Sequence, residues 1–358
     1  MAISAIDDNG NPVDWWFMYK FSGESTTSSG SKAPEAGIEY IYFDSNMAAN
    51  SEAKAIHSSY TVDKSGALVN TLAQLYGSSN PNLGWYFYND EDPINDTTND
   101  ERGHTKGVVA FDLESDSGIR LIHSTPKFAL KGAYGYPETG IKMAQTMLCI
   151  TLESADVAQS IANQMYFCQQ PNVYLASAIP TALLNQPTDP RVHLMQNDVD
   201  MSDKPVDIVL PFNSKGGVKF LSIAKNKAWG LDFYNDLVGP TLNENIDVET
   251  WEHDRTPQPP DSDKIHTVMA MKSVNLNPLG IDIQWSEEDD HAKLAISAPG
   301  QTSPNDPEKS ACYVCVGDIN FTLAQEKRGG GTVAFECQPL WASISAILES
   351  VALPTKKA

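Results

Sequence analysis

Two short segments of this chain carry the same three-residue pattern. His104-Thr-Lys106 and His291-Ala-Lys293 are both His-x-Lys, and each opens a run of residues that reads as a β-strand. Residues two apart on a strand point to the same face, so each segment sets an imidazole beside an ammonium. That combination suits a phosphodiester. The imidazole attacks phosphorus or moves a proton, and the ammonium neutralises the phosphoryl oxygens. No metal is needed where cations do that work, and no cofactor is expected. With seven histidines and twenty lysines in 358 residues, chance yields about 0.4 such pairs. Spacing alone leaves open a surface histidine beside a solvated lysine at each place.

Each pair has a downstream companion. After the first comes Leu121-Ile-His-Ser-Thr-Pro-Lys127, a strand ending in His123 and Ser124. After the second comes Val316-Gly-Asp-Ile-Asn320, a strand ending in Asp318 and Asn320. Polar residues at strand ends are natural site residues in open α/β sheets, although Gly-Asp and Ser-Thr-Pro also mark plain turns. The remaining histidines, His57, His193, His253 and His266, have no such company and carry no catalytic expectation. Cys312-Tyr-Val-Cys315 has zinc-ligand spacing but lacks a second Cys-x-x-Cys or a histidine pair, so no metal centre is expected. The odd cysteine count argues against a complete disulfide framework.

The elements that must position these groups alternate between strands and helices. Strands are expected at Gly37–Asp44, Leu83–Tyr88, Thr105–Asp112, Ile119–His123 and Thr146–Leu152, with a hairpin turn at Ser115–Gly118. Leu68, Leu72 and Leu75 fall at helical spacing, as do Val157, Ile161 and Met165 behind a Ser154 cap. Trp15, Trp16 and the aromatic run Trp85–Tyr88 read as core. Gln169–Asn172 divides the chain into residues 1–168 and 169–358. In the second part, strands are expected at Asp207–Leu210, Val218–Ile223, Ile281–Trp285, Leu294–Ser297 and Tyr313–Val316. An acidic, Pro-bearing loop is expected over Asn243–Lys264, and a closing helix through Leu340, Ile344, Ile347 and Leu348 with Pro339 in its first turn. This alternation implies an α/β sandwich.

Composition narrows the function. A hydrophobic content of 41% and seven tryptophans exclude a disordered chain. The net charge of −21 opposes casual binding to nucleic acid or anionic membranes near neutral pH, without forbidding a local basic cleft. No apolar run is long enough to span a membrane, and no basic amphipathic segment suggests a membrane partner. The first residues lack the charged and apolar regions of a secretory leader, so a cytoplasmic chain or a mature form is expected.

The sequence resembles the deoxyribonuclease II family, a branch of the phospholipase D superfamily. The resemblance rests on Gly10-Asn-Pro-Val-Asp-Trp-Trp-Phe-Met-Tyr-Lys20, Tyr42-Phe-Asp-Ser45, Gly103-His-Thr-Lys-Gly-Val108, Leu121-Ile-His-Ser-Thr-Pro-Lys-Phe128 and Gln145-Thr-Met-Leu-Cys149. It continues through Asp290-His-Ala-Lys293, Cys315-Val-Gly-Asp-Ile-Asn320 and Arg328-Gly-Gly-Gly-Thr332, and is weak from about residue 171 to 265. The second motif reads His-Ala-Lys-Leu where the family usually has His-Ser-Lys-Trp.

What the resemblance implies is specific. The fold would be two pseudo-symmetric, phospholipase-D-like halves, each a mixed β-sheet flanked by helices. The activity would be an acid, metal-independent endonuclease on double-stranded DNA, acting through a phosphohistidine to leave 3′-phosphate and 5′-hydroxyl ends. His104, Lys106, His291 and Lys293 would form the centre, with His104 favoured as nucleophile and His291 as acid and base. Asp318 would orient a histidine through its carboxylate, His123 would orient or bind the phosphate, and Asn320 would stand beside Asp318. Two lysines beside the imidazoles would oppose their protonation, so activity should peak at about pH 5 and survive chelators. The family suggests a lysosomal, secreted or periplasmic setting; compartment and a homodimer stay open. A phospholipase-D-like enzyme on another phosphodiester and a non-catalytic DNA binder are the competing readings.

Overall fold

Continuous apolar runs such as Trp-Trp-Phe-Met-Tyr and Val-Val-Ala-Phe suit strands covered on both faces, and here they build two large sheets. The computed structural model describes residues 2–33, 36–251, 264–303, 306–351 and 353. The first sheet uses β1 (Trp15–Lys20), β2 (Tyr40–Asp44), β3 (Ile56–His57), β4 (Leu83–Asn89), β5 (Lys106–Asp112), β6 (Ser117–His123), β7 (Gln145–Leu152) and β8 (Val173–Ala176), in the order β8-β4-β5-β6-β7-β1-β2-β3. The second uses β9 (Asp207–Asn213), β10 (Lys219–Lys225), β11 (Ile246–Thr250), β12 (Val268–Ala270), β13 (Lys293–Ser297), β14 (Tyr313–Gly317) and β15 (Gly330–Glu336), in the order β9-β10-β15-β14-β13-β11-β12.

Five strands of each sheet repeat one arrangement. In the first sheet β4-β5-β6-β7-β1 lie side by side; in the second, β11-β13-β14-β15-β10 do. The chain visits the corresponding strands in the same sequence, and all neighbours in both sets pair antiparallel. Each His-x-Lys segment leads into the corresponding strand, β5 or β13. A helix follows the fourth strand visited after the first in each set: α2 (Ala155–Gln164) after β7 and α3 (Gln338–Ile347) after β15. Mixed pairing, expected of both sheets, occurs in the second, where β11 and β12 run parallel. The first is antiparallel throughout.

The main core lies between the sheets. Phe17, Leu148 and Ile150 of the first sheet share it with Leu294, Val314 and Phe335 of the second, and Ile161 and Ile344 of the helices. The Trp15 ring meets Phe335 edge-on across this layer at 5.0 Å. On the far face of the first sheet, α1 (Ala67–Ala73) lays Leu68 and Leu72 against Trp16, Met18 and Leu121. On the far face of the second, Phe233, Tyr234 and Leu237 cover Val248, Ala295 and Cys315. Truncating one such buried leucine to alanine costs about 2–5 kcal/mol.

Several local expectations change. The hairpin turn spans residues 113–116, because Asp116 rather than Gly118 takes the left-handed conformation (φ 45°). Ser154 makes no side-chain cap; Asp116 instead accepts the N–H of Ala155 at 2.9 Å and tethers α2 to that turn. The acidic stretch expected as a loop contains β11, whose Ile246 and Val248 alternate into the outer core beneath the acidic composition. Ile281–Trp285 shortens to a strand at Gln284–Ser286 in a small separate sheet. Past the Gln169–Asn172 boundary, β8 still belongs to the first sheet. Among the described residues no helix is long and apolar enough to cross a membrane. His253 lies outside the described residues.

Candidate active site

The two His-x-Lys segments enter their strands at one end of the seam between the sheets, and each is held by the other half of the chain. The main-chain N–H of His104 donates to the carbonyl of Gly329 at 2.8 Å; that of His291 donates to Ala144 at 2.9 Å. Gly329 and Ala144 immediately precede the corresponding strands β15 and β7. The ring nitrogens repeat the exchange. Nδ1 of His104 bonds the carbonyl of Asp318, just past β14, and Nδ1 of His291 bonds the carbonyl of Ser124 at 3.0 Å, just past β6. A carbonyl only accepts, so Nδ1 of His104 carries the proton and its Nε2 keeps the lone pair; at His291 the Ser124 carbonyl asks the same of Nδ1, while Lys293 Nζ approaches that nitrogen at 3.3 Å. The seam is tight: a Cβ on Gly103 would lie 1.8 Å from the carbonyl oxygen of Gln169.

The lysines are buried with them. Lys106 is 2% exposed and Lys293 1%. Lys106 Nζ pairs with the Asp90 carboxylate and lies 3.9 Å from Glu91, whereas Lys293 Nζ donates to the carbonyl of His291 at 2.7 Å. Burial, then the Lys106 ammonium, holds His104 well below the usual histidine range, with Lys293 and Arg328 adding and Asp90 opposing. His291 is held down by burial, then Lys293, Lys106 and His104. Each imidazole thus lies within the field of the opposite segment's lysine, which places all four groups in one electrostatic site.

The neighbours of the two histidines differ. Asp90 Oδ2 stands 4.0 Å from Nε2 of His104 and accepts from Arg328 at 3.1 Å. Burial pushes the Asp90 carboxyl up, but Lys106, His104 and Arg328 outweigh it, so it stays well below the usual carboxylate range. His291 instead packs against the Trp251 ring at 5.1 Å. The adjacent Asp290 carboxylate turns away from it, accepting from Tyr19, from Trp285 Nε1 at 2.7 Å and from the Ala292 N–H at 2.7 Å.

The companion residues fall close by. His123 ends β6 fully buried, edge-on to Phe128 at 5.1 Å. Neither of its ring nitrogens has a hydrogen-bond partner among the described residues, and burial followed by Lys106 drives it down to about 3. Asp318 orients His104 through its backbone carbonyl rather than through its carboxylate, which corrects the sequence expectation. The carboxylate accepts the Lys106 N–H at 3.3 Å and the Gln169 side chain at 3.2 Å, and burial pushes it up to about 7. Gln169 in turn accepts from Arg120 at 3.3 Å. Asn320 is 3% exposed, and its side-chain oxygen has no partner among the described residues. Unpaired buried polar atoms of this kind are costly unless a ligand or water meets them.

Sequence reasoning passed over Asp90, Arg328, Gln169 and Arg120. Asp90 falls between the strands expected at Leu83–Tyr88 and Thr105–Asp112, and Arg328 is visible only as part of the Arg-Gly-Gly-Gly run. The five cysteines are free thiols, and among the described residues no three or more His, Cys, Asp or Glu side chains gather as metal ligands. Chemically, two imidazoles whose Nε2 atoms make no hydrogen bond among the described residues, flanked by Lys106 and Lys293, can deliver a nucleophile and a proton to one anionic centre.

Comparison with known proteins is consistent along the whole chain. A family model described as Deoxyribonuclease II matches residues 4–352. A protein of Burkholderia thailandensis named Putative deoxyribonuclease-2 is 40% identical, over 96% of this chain and 92% of its own. Deoxyribonuclease-2 of Caenorhabditis elegans is 32% identical over 97% of this chain and 92% of its own, and Deoxyribonuclease-2-alpha of Mus musculus 28% over 97% and 92%.

Proposed function

Because this chain belongs to the deoxyribonuclease II family, we propose that it is an endonuclease hydrolysing double-stranded DNA in acid, without a metal, through a phosphohistidine. The observation that carries the reading is the reciprocal grip on the two histidines, which leaves one Nε2 from each half open to chemistry. One Nε2 attacks phosphorus in line while the other, protonated, delivers its proton to the departing 5′-oxygen. The second imidazole then takes a proton from water as the water oxygen bonds to phosphorus and the phosphorus–nitrogen bond breaks, which releases the 3′-phosphate and restores the first imidazole. Lys106 and Lys293 neutralise the non-bridging oxygens as charge builds in the transition state. His123 and Asn320, each with unpaired polar atoms, are suited to meet the phosphate.

Asp90 separates the roles. A carboxylate 4.0 Å from Nε2 of His104 stabilises an imidazolium there and repels a phosphoryl group bound to the same atom. Among the described residues, His291 meets the Trp251 ring and the Ser124 carbonyl instead of a carboxylate. This favours His104 as the acid and His291 as the nucleophile, the reverse of the assignment expected from sequence alone.

The acid preference has two physical sources. Burial and the lysines depress both imidazoles, so the general acid is populated only as pH falls. Asp318, raised to about 7, is protonated in acid and adds no negative charge beside the substrate. Plasmid digestion at about pH 5 in EDTA tests the reading. Cutting by the wild type is expected, with a loss of about 10⁴-fold in both His104→Ala and His291→Ala. A requirement for magnesium at neutral pH would contradict it.

A further inference from the structure

Two buried lysines outside the His-x-Lys segments occupy corresponding places in the two halves. Lys20 is the last residue of β1 and Lys225 the last of β10, the matching strand of the second sheet. Both are 0% exposed. Neither ammonium makes an ion pair within 4 Å among the described residues; each is spent on backbone carbonyls. Lys20 Nζ donates to Ile141 at 3.1 Å and to Met143. Lys225 Nζ donates to Gln325 at 3.0 Å, Glu326 at 2.9 Å and Arg328 at 2.8 Å.

These carbonyls belong to equivalent places. A short helical turn, Glu138–Lys142, precedes β7, and another, Leu323–Lys327, precedes β15. The last carbonyls of a helical turn lack partners and carry its partial negative charge, so a buried ammonium is a fitting cap. The peptide leaving the first turn presents the Ala144 carbonyl to the N–H of His291; the peptide leaving the second presents Gly329 to the N–H of His104. The carbonyls that each lysine holds thus lie one to four residues before the acceptor that fixes a histidine of the other half. The first turn is also held by Ser22, whose hydroxyl donates to Lys142 at 2.9 Å. The second carries Arg328 toward Asp90.

We propose that Lys20 and Lys225 are a matched pair of positioning residues, Lys20 setting the backbone that grips His291 and Lys225 the backbone that grips His104. An attacking imidazole displaced by about 1 Å forfeits roughly 10²-fold in rate, which is why the acceptor loops need such anchors. Neither lysine touches the reacting groups. Their activity effect rests on the nuclease reading above, but their structural effect does not.

The test therefore reads both. Lys20→Met and Lys225→Met are compared with wild type by amide hydrogen exchange and by plasmid cleavage in acid. Lys225→Met should speed exchange of the His104 amide by about tenfold and leave His291 within about twofold; Lys20→Met should do the reverse. In both, kcat should fall by about tenfold with KM within about twofold, and Lys→Arg should restore most of it. Should the methionine variants fail to fold, the arginine variants are expected to show the same crossed pattern at smaller amplitude. Exchange equal to wild type, or equally faster at both histidines, overturns the proposal. A crossed pattern in a protein that does not cut DNA would leave the positioning intact and refute the nuclease reading instead.

Discussion

Around His104 the neighbours are charged: Asp90 bridges Lys106 and Arg328 and stands 4.0 Å from the imidazole. Around His291 the neighbours are a tryptophan ring, at 5.1 Å, and a lysine turned onto its carbonyl, while Asp290 faces Tyr19 and Trp285. The backbone that holds the two rings is the same in both, an N–H to the loop of the other half and an Nδ1 to a strand-end carbonyl. A repeated frame fixes where the imidazoles sit; under the proposed mechanism, the unlike side chains around them decide which one carries a proton. Repetition alone would give two groups of equal basicity, which serves an acid–base pair poorly.

Removing Asp90 should break this difference most severely. Asp90→Asn leaves Lys106 buried without its carboxylate, which costs about 3–5 kcal/mol of stability. It also removes the group that supports an imidazolium at His104, so the alkaline limb of kcat should move to lower pH and the rate fall by about 10²-fold. Thermal melts and a pH–rate profile check both, and an unmoved profile would place the proton elsewhere.

The half-site of His291 should yield less. Trp251→Ala removes the ring that walls the imidazole and should lower kcat by about tenfold, while Trp251→Phe stays within about threefold. Steady-state kinetics on a defined duplex separates the two. A smaller loss in the alanine variant than in the phenylalanine one would mean that the wall has no positioning role.

The smallest effect concerns stability against pH. Asp318 is raised to about 7, so the folded state holds its proton more tightly than the unfolded chain does. Its contribution to stability grows as pH falls from about 7 to about 4 and is lost as pH rises. His123, lowered to about 3, acts the other way: the unfolded chain takes up the proton first, so stability falls as pH drops from about 6.5 toward 3. Asp318→Asn should therefore steepen the loss of melting temperature on acidification. Melts at several pH values that fall parallel to wild type would show that Asp318 does not titrate in this window.

Much of this site was legible because phosphodiester chemistry demands particular residue types at a spacing set by the strand. The period of two made His104–Lys106 and His291–Lys293 visible, and the ends of the next strands exposed His123 and Asp318. The rest depends on contacts that sequence does not display. Arg328 reaches Asp90 across 238 positions, and Lys225 acts on carbonyls about a hundred residues away. Asp318 was found, yet through its side chain, whereas the atom that holds His104 is a backbone oxygen that any residue would supply. In the fold, β11 was hidden because Asp247 and Glu249 mask the alternation of Ile246 and Val248. Asp116, read as part of a turn, also anchors α2, a role visible only once the two are adjacent.

The most direct test of the divided pair is to trap the intermediate. DNA labelled at the scissile phosphate is mixed with enzyme in acid, quenched in alkali after a few turnovers, and the labelled peptide identified by mass spectrometry. The account predicts phosphate on the peptide containing His291, enriched when His104 is replaced by alanine and absent when His291 is replaced. Phosphate on His104, or turnover with no labelled histidine at all, would contradict it.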